Sequence, residues 1–359
     1  MGPHCTSVEL IELLETNLRL TFEGGRLRPT PICIWGPHGI GKTELVRALA
    51  EKMGAQLQLV APAQFEEMGD LIGMPTLVDQ GGQQQTRLVP PDWVPQTAGP
   101  GILLIDDVNR ADDRILRGIM QLLQDYRLIS WQLPERWHIV LTANPDQGDY
   151  SVTPLDDAFL TRMYHFSLQF EVKAWANWAY PAGVDPRGIA FVWSNPDQVT
   201  GRRTTPRTLV QFFAAIESIQ DWSTELTYLQ KFGLSCLDEA TVAAFLQFVQ
   251  LGLESLPQPE ALLTGATYQP LIDRLKEKVM GRSLRLDVLS GFCFRLQFYL
   301  ETEGKHLGPS ELERLKAFLK EDFIPKDLRF QLLRFISGLP FKNLKQLLAD
   351  PELGALLLV

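Results

Sequence analysis

A glycine-rich segment near the start of the chain has the residue types and spacing of a phosphate-binding loop. Its eight residues fit the pattern G-x-x-x-x-G-K-S/T and are Gly36, Pro37, His38, Gly39, Ile40, Gly41, Lys42 and Thr43. Glycines let backbone N–H groups close around a phosphate, and a following helix adds the favourable field of its N-terminus. Lys42 can reach the β- and γ-phosphates, and the Thr43 hydroxyl can ligate Mg²⁺. The segment therefore predicts a site for ATP and Mg²⁺; the alternative is a glycine-rich turn with a surface lysine.

Two consecutive carboxylates follow a second apolar run. Asp106 and Asp107 come directly after the four apolar residues 102–105. A buried strand delivers such side chains at its C-terminal end, where parallel sheets bind ligands. We therefore predict that Asp106 holds Mg²⁺ and that Asp107 orients or deprotonates the attacking water. A strand followed by a solvated acidic turn is the alternative.

Alternating apolar and helical segments indicate an α/β fold that positions these residues. Strands are predicted at 32–35, 56–61, 102–105, 138–142 and 164–170, and helices at 7–20, 42–53, 63–73, 112–126 and 155–163. This alternation is typical of a parallel sheet covered by helices on both faces. The chain between the two motifs suits P-loop proteins in which a strand lies between the two motif strands. Residues 74–101, rich in Gly, Pro and Gln, predict a long loop, and residues 127–137 a short hairpin.

The second half of the chain has a different pattern. The strand signal fades after about residue 171, and helices are predicted at 240–253, 271–280, 284–300, 310–319 and 328–336. We therefore expect three parts: a nucleotide-binding α/β domain with an N-terminal helix at 1–170, a small α-helical lid at 171–260, and a helical C-terminal extension at 261–359.

Composition limits the class of protein. The 359 residues are 45% hydrophobic and 21% charged, which is ordinary for a globular chain and excludes a disordered one. The net charge of −9 argues against a dedicated nucleic-acid binder. No run reaches the roughly 20 apolar residues that a membrane helix needs, and the N-terminus lacks the pattern of a signal peptide. We therefore expect a cytoplasmic protein without membrane insertion.

Five segments in order along the chain resemble the motifs of the AAA+ ATPases and, within them, of the MoxR-like group. Besides the phosphate loop, residues 106–111 (D-D-V-N-R-A) resemble that group's D-E-I-N-R-A, and residues 139–145 resemble its sensor-1 strand, which ends in Asn-Pro. Residues 155–162 resemble its L-P-E-A-x-L-D-R, which ends in an arginine finger, and residues 205–207 resemble its sensor-2 S-P-R.

The resemblance implies a P-loop fold with an AAA+ core and specific roles for three further residues. Asn144 would sense the γ-phosphate, Arg162 would complete the site of a neighbouring subunit, and Arg207 would report nucleotide to the lid. It also implies ATP hydrolysis in a homo-oligomeric ring, usually of six subunits. Such a ring remodels or activates a protein partner in a chaperone role, often with a von Willebrand A-domain protein.

One departure from the family pattern concerns the catalytic acid. The family has Glu where this chain has Asp107, whose carboxylate is one methylene shorter. Small displacements of a catalytic group can cost much rate, so hydrolysis could be slower. The shorter acid leaves open a nucleotide-gated switch or scaffold with little turnover. A DNA-directed motor is a separate alternative.

Overall fold

The chain divides into two compact units, Met1–Ala174 and Trp175–Val359. The structure is a computed structural model that describes residues 2–24, 29–80, 83–145, 152–253, 256–265, 267–280 and 285–355. The three-domain division at residues 170 and 260 stays a prediction.

The first unit is an α/β layer structure. Its strands are β1 His4–Cys5, β2 Ile32–Trp35, β3 Gln56–Val60, β4 Met74–Gln80, β5 Gln83–Val89, β6 Gly101–Ile105, β7 Trp137–Ala143 and β8 Tyr164–Leu168. Its helices are α1 Ser7–Phe22, α2 Lys42–Lys52, α3 Met68–Ile72, α4 Asp113–Asp125 and α5 Asp157–Leu160, with 3₁₀ turns at Pro62–Gln64 and Val108–Arg110.

Six of the described strands form one sheet in the order β1-β8-β2-β7-β6-β3. Every neighbouring pair in this sheet is parallel. The predicted α/β fold with a parallel sheet is therefore confirmed, and β7 is the strand that lies between β2 and β6. Strand β1 was not predicted, because two residues are too few to give a recognisable periodicity.

Alternate residues of the central strands pack against opposite layers of helices. On β2, Ile32 and Ile34 lie in a core with apolar residues of α1 and α2, whereas Cys33 and Trp35 lie in a core with apolar residues of α4. This is the period of two that a strand imposes on its side chains. Because helices cover both faces of the sheet, β2, β6 and β7 are buried along their whole length. Their C-terminal ends are therefore held in a fixed register.

The predicted long loop at 74–101 is wrong for its first half. Strands β4 and β5 pair in antiparallel fashion from Met74 opposite Val89 to Gln80 opposite Gln83. The composition concealed this hairpin, because Gln and Gly have low strand propensity. The Gly-Gly pair in the sequence between two strand-length segments is the signal that could have predicted it; these two glycines lie outside the described residues.

Two shorter predictions in the first unit are also corrected. The hairpin at 127–137 is reduced to one antiparallel bridge between Arg127 and Gln132. The helix predicted at 155–163 is confined to α5, which Asp156 caps by accepting the backbone N–H of Phe159. Both segments are too short for periodicity to define their limits.

The second unit is helical in its described parts. Its helices, beginning with one that crosses the division, are α6 Val172–Ala179, α7 Pro186–Ser194, α8 Pro206–Ile216, α9 Leu226–Cys236, α10 Glu239–Gln250, α11 Pro259–Thr264, α12 Gln269–Val279, α13 Leu286–Glu303, α14 Pro309–Leu319, α15 Lys326–Gly338, α16 Lys342–Lys345 and α17 Pro351–Ala355. The five helices predicted here correspond to α10, α12, α13, α14 and α15. Over the described ranges, the molecule has no helix with both the length and the apolar character that crossing a membrane requires.

Candidate nucleotide-binding site

The glycine-rich loop connects β2 to α2 and ends at the helix N-terminus. Gly39 and Gly41 have φ angles of 70° and 103°, in the left-handed region that favours glycine. Gly41 is the N-cap of the 11-residue helix α2, so the first N–H groups of the helix face this loop. Such a loop and helix start together suit a phosphate group.

Lys42 is the first residue of α2 and is buried, with 5% of its surface exposed. Its Nζ donates to the carbonyl oxygens of Gly36 and Pro37, at 2.8 and 3.2 Å, and to Oδ1 of Asn144, at 2.9 Å. The side chain therefore turns back over its own loop and reaches the end of β7. This places a positive charge within the loop that would receive the phosphates.

Three parallel strands bring the remaining polar residues to the same edge of the sheet. The Thr43 Oγ1 donates to Oδ1 of Asp106 at 2.7 Å, and the Thr142 Oγ1 donates to the same oxygen at 2.7 Å. The backbone N–H of Asp107 in turn donates to Thr142 Oγ1 at 2.7 Å. A hydroxyl and a carboxylate thus lie side by side at the start of α2 and the end of β6.

The hydroxyl of Thr43 and the carboxylate of Asp106 suit a magnesium ion that is bound together with a nucleotide. Mg²⁺ prefers oxygen ligands and usually keeps several waters, with one or two protein ligands besides the substrate phosphates. Thr43 and Asp106 supply such oxygens at hydrogen-bond distance from each other. Among the described residues, no group of three or more His, Cys, Asp or Glu side chains is placed to form an all-protein metal cage.

Asp107 occupies an unusual backbone conformation. Its φ and ψ angles are 49° and 48°, in the left-handed region. Its Oδ1 accepts from Nδ2 of Asn144 at 2.9 Å, and its Oδ2 forms an ion pair with Nε of Arg110 at 3.2 Å. The carboxylate is therefore held from both sides, and about a third of the side chain is exposed (34%).

Asn144 connects the lysine to this acid. Its amide oxygen accepts from Lys42 and its amide nitrogen donates to Asp107, an assignment that is required because a lysine only donates and a carboxylate only accepts. A reciprocal pair holds its backbone: the Asn144 N–H donates to Oδ1 of Asn109 at 3.1 Å, and Asn109 Nδ2 donates to the Asn144 carbonyl at 2.7 Å. Both asparagines are buried.

Comparison with known proteins identifies the domain that carries this network. Residues 31–163 match the sequence profile of the AAA domain of the dynein-related subfamily. The match covers 133 of the chain's 359 residues and so shows an AAA domain in this part of the chain.

Two relatives each match about a third of the chain. The Holliday junction branch migration complex subunit RuvB of Rubrobacter xylanophilus is 28% identical over 120 residues, which is 33% of this chain and 28% of RuvB. Midasin of Giardia intestinalis is 27% identical over 139 residues, which is 37% of this chain and 3% of midasin. The chain thus spans less than a third of these relatives' length. Among solved structures, RuvB of Thermotoga maritima superimposes with a TM-score of 0.37 at 16% identity, covering 82% of this chain and 88% of that one.

Of the two predicted arginines, Arg162 belongs to the first unit and Arg207 to the second. Arg162 follows α5 and donates through Nε and one terminal nitrogen to Oε1 of Gln124, at 3.3 and 3.2 Å, and through the other to the Ala158 carbonyl. Arg207 is the second residue of α8 in the second unit and is exposed. The structure thus brings together Lys42, Thr43, Asp106, Asp107 and Asn144, whereas the roles of Arg162 and Arg207 stay predictions.

Three residues of the AAA+ domain's network were not singled out from the sequence. Thr142 links Asp106 to the backbone of Asp107, Asn109 holds Asn144, and Arg110 pairs with Asp107. A hydroxyl within the otherwise apolar end of β7 was the available signal for Thr142. The role of Asn109 depends on the register of β6 against β7, which no local pattern reveals.

Proposed function

We propose that the chain is a MoxR-like AAA+ ATPase that couples Mg-ATP hydrolysis to the remodelling or activation of a protein partner. The observation that carries this proposal is the continuous network at one sheet edge, in which Lys42, Thr43, Asp106, Asp107 and Asn144 are joined by hydrogen bonds of 2.7 to 2.9 Å through Thr142 and Asn144. The network stands beside a glycine loop and a helix N-terminus, so phosphate, metal and water would meet the groups that each requires.

The phosphate-binding residues act through charge and backbone donors. Residues 38–41 offer N–H groups to the phosphates, with His38 and Ile40 contributing through their positions in the loop. Pro37, which has no N–H, contributes its fixed backbone, and the Gly36 N–H ties the loop to β7 by donating to the Ala143 carbonyl. Lys42 faces the β- and γ-phosphates, and Thr43 and Asp106 hold Mg²⁺. The metal, when bound, supplies positive charge that offsets the charge of the transferred phosphoryl group.

The hydrolytic residues are Asp107 and Asn144. Asp107 accepts a proton from, or orients, the attacking water, as the acid at this place does in the P-loop template. Asn144 contacts both Lys42 and Asp107. A phosphate that attracts Lys42 would therefore also change the hydrogen bonding of the amide that holds Asp107, so occupancy and catalytic geometry would be linked.

The assembly part of the proposal rests on the resemblance of residues 155–162 and 205–207 to the family motifs. We propose a homo-oligomeric ring, of six subunits in the family, in which Arg162 completes the site of its neighbour and Arg207 reports nucleotide to the lid. The proposed partner is a protein, with a von Willebrand A-domain protein as the first candidate, and the proposed location is the cytoplasm.

Two substitutions test the assignment of the site. Lys42→Ala removes the main positive charge facing the phosphates, so ATP affinity should fall far more than threefold, a loss above roughly 0.7 kcal/mol. Asp107→Asn should keep ATP binding and stop turnover, because an amide cannot act as a base; Asp107→Glu should preserve or raise the rate if the family geometry holds. Lys52→Ala is the matched control, since Lys52 ends the same helix and pairs with Glu15 at the surface. Wild-type affinity in Lys42→Ala, or wild-type turnover in Asp107→Asn, would refute the assignment.

A nucleotide-gated switch with little turnover is the second candidate function. It is favoured by the two-sided hold on Asp107, whose oxygens are engaged by Asn144 and Arg110 at 2.9 and 3.2 Å. The discriminating measurement is steady-state phosphate release. Release at background together with intact ATP binding would favour the switch, and clear turnover would favour the ATPase.

The RuvB relatives motivate a DNA-directed motor as the remaining alternative. The match extends over 120 residues, within a chain whose net charge is −9. DNA binding that weakens steeply with salt would favour the motor, because phosphate contacts release counterions. Absence of such binding, together with capture of a specific protein partner, would favour remodelling.

A further inference from the structure

A tryptophan and a histidine in the first unit connect the phosphate loop to the short helix that precedes Arg162. Trp35 is the last residue of β2 and immediately precedes Gly36, whose carbonyl accepts from Lys42. The Trp35 Nε1–H donates to Nδ1 of His165 at 2.9 Å, and the two rings lie 6.0 Å apart. The other ring nitrogen, Nε2, lies 2.7 Å from the carbonyl oxygen of Leu160, the last residue of α5.

The hydrogen-bond partners determine the tautomer of His165. An indole N–H can only donate, so Nδ1 must be the acceptor; a carbonyl oxygen can only accept, so Nε2 must carry the proton. The ring is therefore neutral and protonated at Nε2, with both nitrogens in use. An imidazolium would lose the bond from Trp35, because both of its nitrogens carry protons.

Neighbouring carbonyl oxygens of α5 support Arg162. The Arg162 backbone N–H donates to the carbonyl of Phe159, at 3.2 Å, and its guanidinium donates to the carbonyl of Ala158. His165 holds the next carbonyl along, that of Leu160, two residues before the arginine. β8, which carries His165, pairs with β2 in a register that places His165 opposite Cys33, so the sheet holds the backbone from which the ring projects.

We propose that His165 is a positioning residue that fixes the end of α5, and so the direction of Arg162 toward a neighbouring subunit, and that Trp35 ties this end to the phosphate loop of the same chain. The inference rests on the proposed function, since it requires Arg162 to act in a neighbour's site. Loss of His165 should therefore impair the site of the neighbouring subunit and not the site of the subunit that carries the substitution. A subunit that lacks the histidine would bind ATP normally but would present its arginine poorly.

His165→Phe and His165→Gln form the matched pair of variants. Phenylalanine keeps a ring beside Trp35 but can neither accept nor donate, whereas a glutamine amide can do both. His165→Phe should lower kcat by about 10- to 100-fold, because a displacement of about 1 Å of a catalytic group can cost about 10²-fold. ATP affinity should stay within twofold of wild type, which also reports a folded site, and His165→Gln should recover most of the rate.

Mixing experiments distinguish an effect on the neighbouring subunit's site from an effect on the site of the same chain. When His165→Phe is mixed with Lys42→Ala, some sites pair an intact loop of the first variant with a well-placed Arg162 of the second, so activity should rise above that of either protein alone. The double variant His165→Phe/Arg162→Ala should be no slower than Arg162→Ala. Absence of recovery in verified mixed oligomers, or wild-type kcat in His165→Phe, would overturn the inference.

The mixture of Lys42→Ala with Arg162→Ala distinguishes this failure from failure of the proposed function. If that mixture recovers and the His165 mixture does not, only the role of His165 is refuted. If neither mixture recovers, or if the wild-type chain does not hydrolyse ATP, the proposed donation of Arg162 is refuted and the inference falls with it.

Discussion

Thr142→Val is the substitution whose effect follows most directly from the geometry of the site. Thr142 is fully buried, and its hydroxyl is shared: it donates to Oδ1 of Asp106 and accepts the backbone N–H of Asp107, both at 2.7 Å. Valine has nearly the same shape and no hydroxyl, so the packing of β7 is kept while both hydrogen bonds are lost. The substitution therefore isolates the polar contribution of one side chain.

The expected loss has two parts. A hydrogen bond to a charged group contributes about 1.5–3 kcal/mol, and a backbone N–H left without an acceptor costs about 1–3 kcal/mol. Because the hydrogen bond from the Asp107 N–H is only partly buried, water can satisfy part of the second loss. We therefore expect Thr142→Val to lower the free energy of unfolding by about 2–4 kcal/mol. Freed from one of its two hydroxyl donors, Asp106 should also bind Mg²⁺ in a less defined orientation, so ATP affinity should fall more with Mg²⁺ than without it.

Urea unfolding and ATP titration with and without Mg²⁺ measure these two effects, and Thr142→Ser is the matched control. Serine keeps the hydroxyl and loses one buried methyl, which should cost only about 1 kcal/mol. A change of less than about 0.5 kcal/mol in Thr142→Val, which is typical of an ordinary surface substitution, would show that the hydroxyl does not organise the site. Equal losses in the serine and valine variants would assign the effect to packing instead.

Three further predictions concern the ring, the folded state and the loop. Arg162→Ala and Lys42→Ala should each be inactive and should regain ATPase activity when mixed, because some interfaces then pair an intact loop with an intact arginine. No recovery in verified mixed oligomers would mean that Arg162 acts within its own chain or only structurally. Burial lowers the pKa of His138 to about 4, below the unperturbed value of about 6.5. The stability that the neutral ring contributes to the folded state is therefore fully present above pH 6.5, and about 3 kcal/mol of it should be lost as the pH falls toward 4. The part of this pH dependence that His138 contributes should disappear in His138→Gln and persist in His4→Gln, and urea unfolding across this range checks it. Gly41→Ala should weaken ATP binding by strain of about 1–2 kcal/mol at a φ of 103°; an unchanged dissociation constant would contradict this.

The position of the glycine-rich loop between β2 and α2 and the α/β fold could be predicted because their signals are local. A fixed spacing of glycines, lysine and threonine needs no knowledge of distant residues, and the buried strands β2, β6 and β7 are runs of apolar residues. The meeting of Asp106 with Thr43 also followed, because parallel strands end at a common edge.

The remaining features depend on contacts between distant segments. The link from Thr142 to Asp106 joins residues 36 positions apart, and that from Asn109 to Asn144 joins residues 35 apart. Their existence depends on the register of β6 against β7, which is set by packing of the whole sheet. The hairpin of β4 and β5 was not predicted for another reason. Its two strands are held by their pairing with each other and not by strand propensity.

The backbone at Asp107 offers a physical reason for the one departure from the family pattern. The residue has a φ of 49°, and aspartate is among the few side chains enriched in this left-handed region, because its short polar group can bond locally. Here it bonds to Arg110 three residues ahead and to Asn144, which follows β7. The shorter side chain thus suits the local backbone conformation. The carboxylate of a glutamate at this position would reach further, but the residue would suit this conformation less well. The rate of hydrolysis then depends on whether the attacking water lies within reach of a carboxylate held this close to its own backbone, which the comparison of Asp107→Glu with the wild type measures directly.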